Sequence, residues 1–153
     1  MGTKQQPETT NPISHPVNVL TLPTRGLDIE LKPEADALAR LAQINGLVRI
    51  DDFAATISLK RWHKDGIRAT GDIQAAVVQM CGVTLVEVSQ YLETEIEAIF
   101  LPDTSKLARR IQDGQADEIL IDPEGDDAPD LFELPWLDVG DIVQEFFALA
   151  IDP

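Results

Sequence analysis

A tryptophan near the middle of the chain is surrounded by basic side chains within nine positions. The group consists of Lys60, Arg61, Trp62, His63, Lys64 and Arg68. Cationic groups neutralise phosphates and an aromatic ring can stack on a base, so this combination is typical of single-stranded RNA binding. The alternative interpretation is an ordinary solvated turn in which Trp62 covers one edge of the core.

Carboxylates recur at every second position in a later segment, at Glu93, Glu95 and Glu97. Residues two apart on a β-strand point to the same side, so these three would form a line of negative charge. Lys or Arg side chains of a basic protein partner can pair with such a line. Asp126 and Asp127, in a proline-interrupted acidic stretch, are candidates for the same contact. A solvent-facing strand and a solubilising loop are the alternative.

The residue types needed for catalysis or metal binding are not grouped in the sequence. Paired carboxylates act as acid and base when their environments separate their pKa values, and a row of exposed glutamates gives no sign of this. The single cysteine, Cys81, and the two histidines lack zinc-ligand spacing. We therefore expect a protein that is not an enzyme and has no metal, no other cofactor and no evident small-molecule substrate. Cys81 is expected to be a buried apolar side chain on a strand.

The net charge of −15 over 153 residues is distributed unevenly. Residues 1–68 carry nine Lys and Arg against eight Asp and Glu, whereas the remaining residues carry three against nineteen. The acidic part would repel a phosphate backbone and attract a basic protein, with an attraction that weakens as salt rises. Because the sequence has no apolar run of roughly 18 residues and no apolar segment typical of a secretory signal, we expect a cytoplasmic protein without a membrane partner.

Local patterns predict a single domain, residues 15–153, after a flexible tail of residues 1–14. Apolar and β-branched runs predict strands at 17–22, 47–50, 53–62, 67–78 and 86–100, with a hairpin turn at 63–66. Helical spacing predicts helices near 33–44 and 138–150, the second capped by Asp138. Residues 101–135 favour a long acidic loop, with a short edge strand at 118–121 as an option. The expected fold is α+β: a mainly antiparallel sheet, with barrel-like closure as one option, and two packed helices.

Two segments are similar to the paired signatures of one bacterial family. The central segment contains Gln79, Cys81, Val83, Thr84, Leu85 and Val88, and the C-terminal segment contains Asp138, Gly140, Asp141, Glu145, Leu149, Ala150 and Pro153. With Pro16-Val17 and Leu22-Pro23 before them, they resemble, in order and spacing, the alphaproteobacterial-type branch of the YceD-like large ribosomal RNA subunit accumulation proteins. The resemblance covers nearly the whole chain. Other branches carry a Cys-x-x-Cys pair at the central motif, where this chain has only Cys81.

The resemblance implies a non-catalytic factor in large ribosomal subunit biogenesis, needed for accumulation or processing of large-subunit ribosomal RNA. The implied partners are a basic large-subunit ribosomal protein, the large-subunit ribosomal RNA precursor, or both. In that setting the acidic line of Glu93, Glu95 and Glu97 would bind the ribosomal protein. The basic group around Trp62, called the basic tip here, would bind RNA. The residues alone also support a second function, a general acidic interaction module or chaperone for a basic partner unrelated to ribosomes.

Overall fold

The computed structural model of the protein describes residues 11–105 and 129–151. The strands are β1 (Pro16–Asn18), β2 (Leu27–Leu31), β3 (Arg49–Trp62), β4 (Gly66–Met80), β5 (Glu87–Pro102), β6 (Asp130–Phe132) and β7 (Trp136–Asp138). The helices are α1 (Ala35–Ile44) and α2 (Val139–Ala150), and a short 3₁₀ turn covers Val19–Thr21. The fold is therefore α+β with two helices, as the sequence patterns predict.

Five strands form one sheet in the order β2-β3-β4-β5-β6, and β1 pairs with β7 in a separate two-stranded sheet. All neighbouring strands are antiparallel except β5 and β6, which pair in parallel over three residues each. In the described residues β2 and β6 are the two outer strands and do not pair with each other. The sheet is thus open there, and the expected barrel-like closure is not confirmed.

One side of the large sheet carries the hydrophobic core, because alternate residues of its long strands point to that side. Its buried members on the three long strands are Ile50, Phe53, Ala55, Ile57, Leu59, Ile67, Ala69, Ile73, Ala75, Val77, Leu92, Ile96 and Phe100. The apolar side of α2 packs into the same core, where the rings of Phe53 and Phe147 meet edge to face with centroids 5.0 Å apart. Both predicted helices and the predicted β3–β4 hairpin are confirmed.

Three strand predictions need correction. The predicted strand at 17–22 ends at Asn18, because the chain turns there into the 3₁₀ turn. The strands predicted at 47–50 and 53–62 form one continuous β3 with an irregularity in its pairing between Ile50 and Asp52. Strand β2 was not predicted at all, although Leu27, Ile29 and Leu31 alternate with acids in the pattern of a half-buried strand.

The stretch at 101–135 is not entirely loop in its described part. β5 extends through Pro102, and residues 130–132 form β6. Leu101 is fully buried, which explains why the strand continues beyond the end of the predicted segment. The edge strand considered at 118–121 lies outside the described residues. Neither described helix is both long enough and apolar enough to cross a membrane.

The N-terminal segment is attached to the start of α2 by a network around Asp138. The Asp138 carboxylate accepts hydrogen bonds from the backbone N–H of Asp141 (3.2 Å), the backbone N–H of His15 (2.8 Å) and the Ser14 hydroxyl. The first of these bonds caps the helix, as expected. Asn11 adds a bond from its side-chain nitrogen to the Asp141 carboxylate (2.8 Å). These contacts hold residues 11–15 against α2.

Candidate protein-binding face

The side of the large sheet opposite the core, called the outer face here, carries a concentration of carboxylates. On β5 the buried Leu92 and Ile96 point to the core, so Glu93, Glu95 and Glu97 point to the outer face and are exposed. The structure therefore places the three predicted glutamates in one line, on the acidic side of a strand that is apolar on its other side.

Strand register also brings acids from other strands, including β4 and β2, onto the outer face. Asp72 of β4 lies directly opposite Glu95. Asp28 and Glu30 of β2 alternate with the buried Ile29 and share this face. None of these three residues was predicted as a site residue, although the strict alternation in Leu27–Leu31 was a usable signal for two of them.

A single row crosses four strands of the outer face and contains three carboxylates. Glu30 pairs with Thr56, Thr56 with Asp72, and Asp72 with Glu95. Side chains directly opposite each other on neighbouring strands have Cβ atoms about 5 Å apart, and like charges in that relation destabilise the sheet. The Asp72–Glu95 pair therefore concentrates negative charge near the middle of the outer face.

Cationic side chains partly offset this charge. Lys32 forms an ion pair with Glu30 (3.0 Å), and this hydrogen bond raises the pKa of the lysine. Arg68 donates to Glu97 across β4 and β5 (2.5 Å). The outer-face acids that form no ion pair with any other described residue are Asp28, Asp52, Asp72, Glu93 and Glu95. The outer face is thus left with uncompensated negative charge, which attracts cationic groups.

The basic residues around Trp62 make different contacts in the structure. Arg61 uses its guanidinium to donate to the backbone carbonyls of Val19 (3.3 Å) and Leu22 (3.1 Å), which fastens the 3₁₀ turn to β3. Lys60 lies opposite Arg68 on the outer face, but Arg68 is already paired with a glutamate. Among the described cations at this end of the sheet, Arg61 and Arg68 are therefore engaged in contacts within the chain.

Trp62 is half-buried and covers the end of the sheet. A Cβ atom added to Gly66 would lie 2.7 Å from the indole Cε3 and 3.0 Å from a methyl carbon of Leu101, so the ring lies over this glycine. His63 contacts the ring edge to face at 4.2 Å between centroids and has a positive φ of 56°. Lys64 lies next to it, exposed in the turn. This arrangement corresponds to the turn interpretation, because much of the ring surface is used for packing.

The central family-like motif forms the tight turn between β4 and β5. Cys81 donates its backbone N–H to Val86 (2.8 Å) and accepts from the N–H of Leu85 (2.9 Å), whose φ of 60° is unusual for a leucine. Hydrogen bonds to the sulfur from the Thr84 side chain, then from the backbone of Thr84 and Val83, lower the pKa of the Cys81 thiol to about 7.

The prediction that Cys81 is buried on a strand is wrong. It lies in the turn and is partly exposed, because no described element covers this end of the hairpin. Several apolar side chains at the same end are exposed as well, among them Leu85 at 73% and Val83 at 92%. Gln79, the first residue of the motif, bonds to the Gln90 side chain across the hairpin (3.2 Å).

The C-terminal family-like motif has a structural role in this chain. Asp138 and Asp141 hold the N-terminal segment, as described above. Gly140 leaves room for that segment, since a Cβ there would lie 2.0 Å from the backbone carbonyl oxygen of Ile13. Glu145 is exposed on α2 and is not part of the outer face. The motif thus fixes the N-terminus to α2 and does not contribute to the anionic site.

Two predicted site residues, Asp126 and Asp127, lie outside the described residues. In the described ranges no group of three or more His, Cys, Asp or Glu side chains could hold a metal ion. No protein-family model matches the chain, and no curated protein or solved structure matches it either. The resemblance to the YceD-like family therefore stays a prediction.

Proposed function

We propose that the protein is a non-catalytic binding factor that holds a basic protein partner on the outer face of its sheet. The observation that carries the proposal is the row in which Asp72 and Glu95 face each other without a cation among the described residues. A sheet that served only as a scaffold would gain stability from a neutral or opposite charge at one of these positions. A Lys or Arg side chain from a partner would supply the missing positive charge.

The resemblance to the YceD-like family suggests the setting. In that setting the partner is a basic large-subunit ribosomal protein, bound in the cytoplasm during large ribosomal subunit biogenesis. Accumulation or processing of large-subunit ribosomal RNA would then depend on delivery or protection of this protein. The alternative is a chaperone or interaction module for a basic protein unrelated to ribosomes, and the outer face supports it equally well.

Direct RNA binding is less well supported by the described contacts. Arg61 is used to hold backbone carbonyls, Arg68 is paired with Glu97, and Trp62 is packed over a glycine. RNA binding through counterion release needs several free cations, and few remain among the described residues at this end of the sheet. RNA is therefore an outcome of the test and not part of the proposal.

The experiment is capture of the tagged full-length chain from cell extract, at low and at moderate salt, followed by identification of bound proteins and RNA. The test variant is Glu93→Gln with Glu95→Gln, which removes two outer-face charges. The matched control is Glu34→Gln with Glu145→Gln, which removes two exposed charges elsewhere, including a helix N-cap whose side chain makes no capping bond.

The proposal requires a basic protein that binds the unaltered chain and the control, is lost from the test variant, and dissociates as salt rises. A large-subunit ribosomal protein in that role supports the ribosomal setting, and any other basic protein supports the alternative. If the test and control variants retain the same partners, the outer face is not the binding surface. If only RNA is captured, and Lys60→Glu with Lys64→Glu abolishes the capture, the basic tip is the working surface instead.

A further inference from the structure

Most of β5 is an open edge in the described part of the chain. Its 16 residues run from Glu87 to Pro102, and β6 pairs only with Phe100–Pro102. From Glu87 to Ile99 its only described neighbouring strand is β4. Every second residue of this length therefore directs its backbone N–H and C=O away from the sheet. Unpaired backbone groups of this kind form a template for one more strand.

We infer that an extended basic segment of the partner adds to the sheet as a strand beside β5. This inference rests on the proposed function and specifies how the partner is held. Main-chain hydrogen bonds to the β5 edge supply a sequence-independent part of the affinity. Side chains at alternate positions of the added strand supply the selectivity.

The negative charge on β5 indicates that the added strand is basic. A strand beside β5 would place every second side chain on the outer face, next to Glu93, Glu95 and Glu97. The first two of these carboxylates face Gln74 and Asp72 on β4 and form no ion pair in the described residues. Lys or Arg at alternate positions of the added strand would lie beside both carboxylates, on the side away from β4.

The intervening positions of the added strand would point to the core side. The neighbouring β5 residues on that side include Thr94 and Ala98, which are half-buried. Small or β-branched side chains such as Val and Thr suit a half-buried strand of this type. The expected segment therefore alternates Lys or Arg with Val or Thr.

The same carboxylates disfavour a second copy of the chain at this edge. Two β5 strands paired with each other would bring two rows of glutamates together, and opposed like charges destabilise a strand pair. Acids at an edge thus block self-association while leaving the backbone open to a cationic strand.

The test measures binding of fluorescent peptides to the full-length chain by anisotropy at low salt. The parent peptide alternates Lys or Arg with Val or Thr. Two modified peptides carry the same side chains but have N-methyl groups at every second residue. In the first peptide the methyl groups lie along one edge of the extended backbone, and in the second peptide they lie along the other edge. N-methylation removes backbone donors without changing the charge, and a strand uses only one of its edges to pair with β5.

Strand addition requires that one methylated peptide binds like the parent and that the other loses about tenfold or more in affinity. Hydrogen exchange should then show new protection of alternate backbone amides between Glu87 and Ile99. The Glu93→Gln and Glu95→Gln variant should weaken the parent peptide, whereas the Glu34→Gln and Glu145→Gln control should not.

Three results would overturn strand addition. If both methylated peptides bind like the parent, the contact uses charge alone, and the proposed function survives without the strand. If the parent peptide does not bind at all, strand addition fails, while the proposed function is judged separately by capture from extract. If sedimentation and exchange show a dimer paired through β5 before peptide is added, a second copy occupies the edge.

Discussion

Replacement of Gly140 by alanine should destabilise the protein, although helix propensity alone predicts the opposite. Gly140 is the second residue of α2, and alanine is favoured over glycine inside a helix by about 1 kcal/mol. The added Cβ, however, would lie 2.0 Å from the Ile13 carbonyl oxygen and 2.7 Å from the Ser14 Cα. Both contacts involve backbone atoms, which cannot rotate away as a flexible side chain can.

The size of this destabilisation depends on the contacts that the N-terminal segment loses when the added Cβ displaces it. A contact of 2.0 Å must open by about 1 Å to reach the shortest tolerated Cβ separation. Such a shift strains the bonds from His15 and the Ser14 hydroxyl to Asp138, each worth about 1.5–3 kcal/mol because the acceptor is charged. It also loosens Ile13, which is 5% exposed. Partial loss of these contacts predicts a net destabilisation of about 2–4 kcal/mol.

Urea unfolding followed by circular dichroism measures this effect, and thermal unfolding should show a fall in Tm of about 4–16 °C for a chain of this size. Gly82→Ala is the matched control, because an added Cβ there meets nothing within 4 Å. It should change stability by less than about 0.5 kcal/mol. If Gly140→Ala is as stable as the control, the close approach of residues 11–15 to α2 is not part of the fold, and the reasoning is refuted.

The remaining predictions concern Arg61, the turn between β4 and β5, and the outer face. Arg61→Ala should lower the free energy of unfolding by about 1 kcal/mol because two backbone carbonyls lose their donor, whereas the neighbouring Lys64→Ala should change it by less than about 0.5 kcal/mol. Alkylation of Cys81 should accelerate as pH rises through about 7, and Thr84→Val should move that rise to higher pH by removing the side-chain donor; identical profiles would contradict the turn geometry. Glu95→Gln should raise stability by about 0.2–1 kcal/mol in low-salt urea unfolding by relieving repulsion from the aspartate opposite it, and a loss of stability would contradict the like-charge row.

Local periodicity was sufficient to predict the helices and the β3–β4 hairpin, because each is determined mainly by residues close in the chain. The helical spacing after Pro33 and the Asp138 cap gave α1 and α2 within two residues of their observed starts. β2 was not predicted because it is only five residues long and lies between a glycine turn and a proline. These turn signals outweighed the alternation of apolar and acidic residues within the strand.

The site was predicted only in part, since register joins residues that are distant in the sequence. The line of three glutamates on β5 follows from period two alone. Its extension to Asp72 and Glu30 depends on how β4 and β2 align across the sheet, and no local pattern contains that information. For the same reason the bond between His15 and Asp138, 123 residues apart, could not be predicted, and the local pattern around Asp138 predicted only a helix cap.

Neighbouring positions on the outer face show that the like-charge pair is a local exception. Glu93 faces the neutral Gln74, and Glu97 faces Thr70 with Arg68 close enough to pair with it. Only Glu95 faces another acid, so repulsion is concentrated at one point of the sheet. One cationic side chain placed between Asp72 and Glu95 would contact both carboxylates, whereas the same side chain beside Glu93 would contact one. Because the repulsion is relieved only when that cation is present, the centre of the row is where a basic partner gains most, and a Lys or Arg there should be the partner's most costly residue to remove.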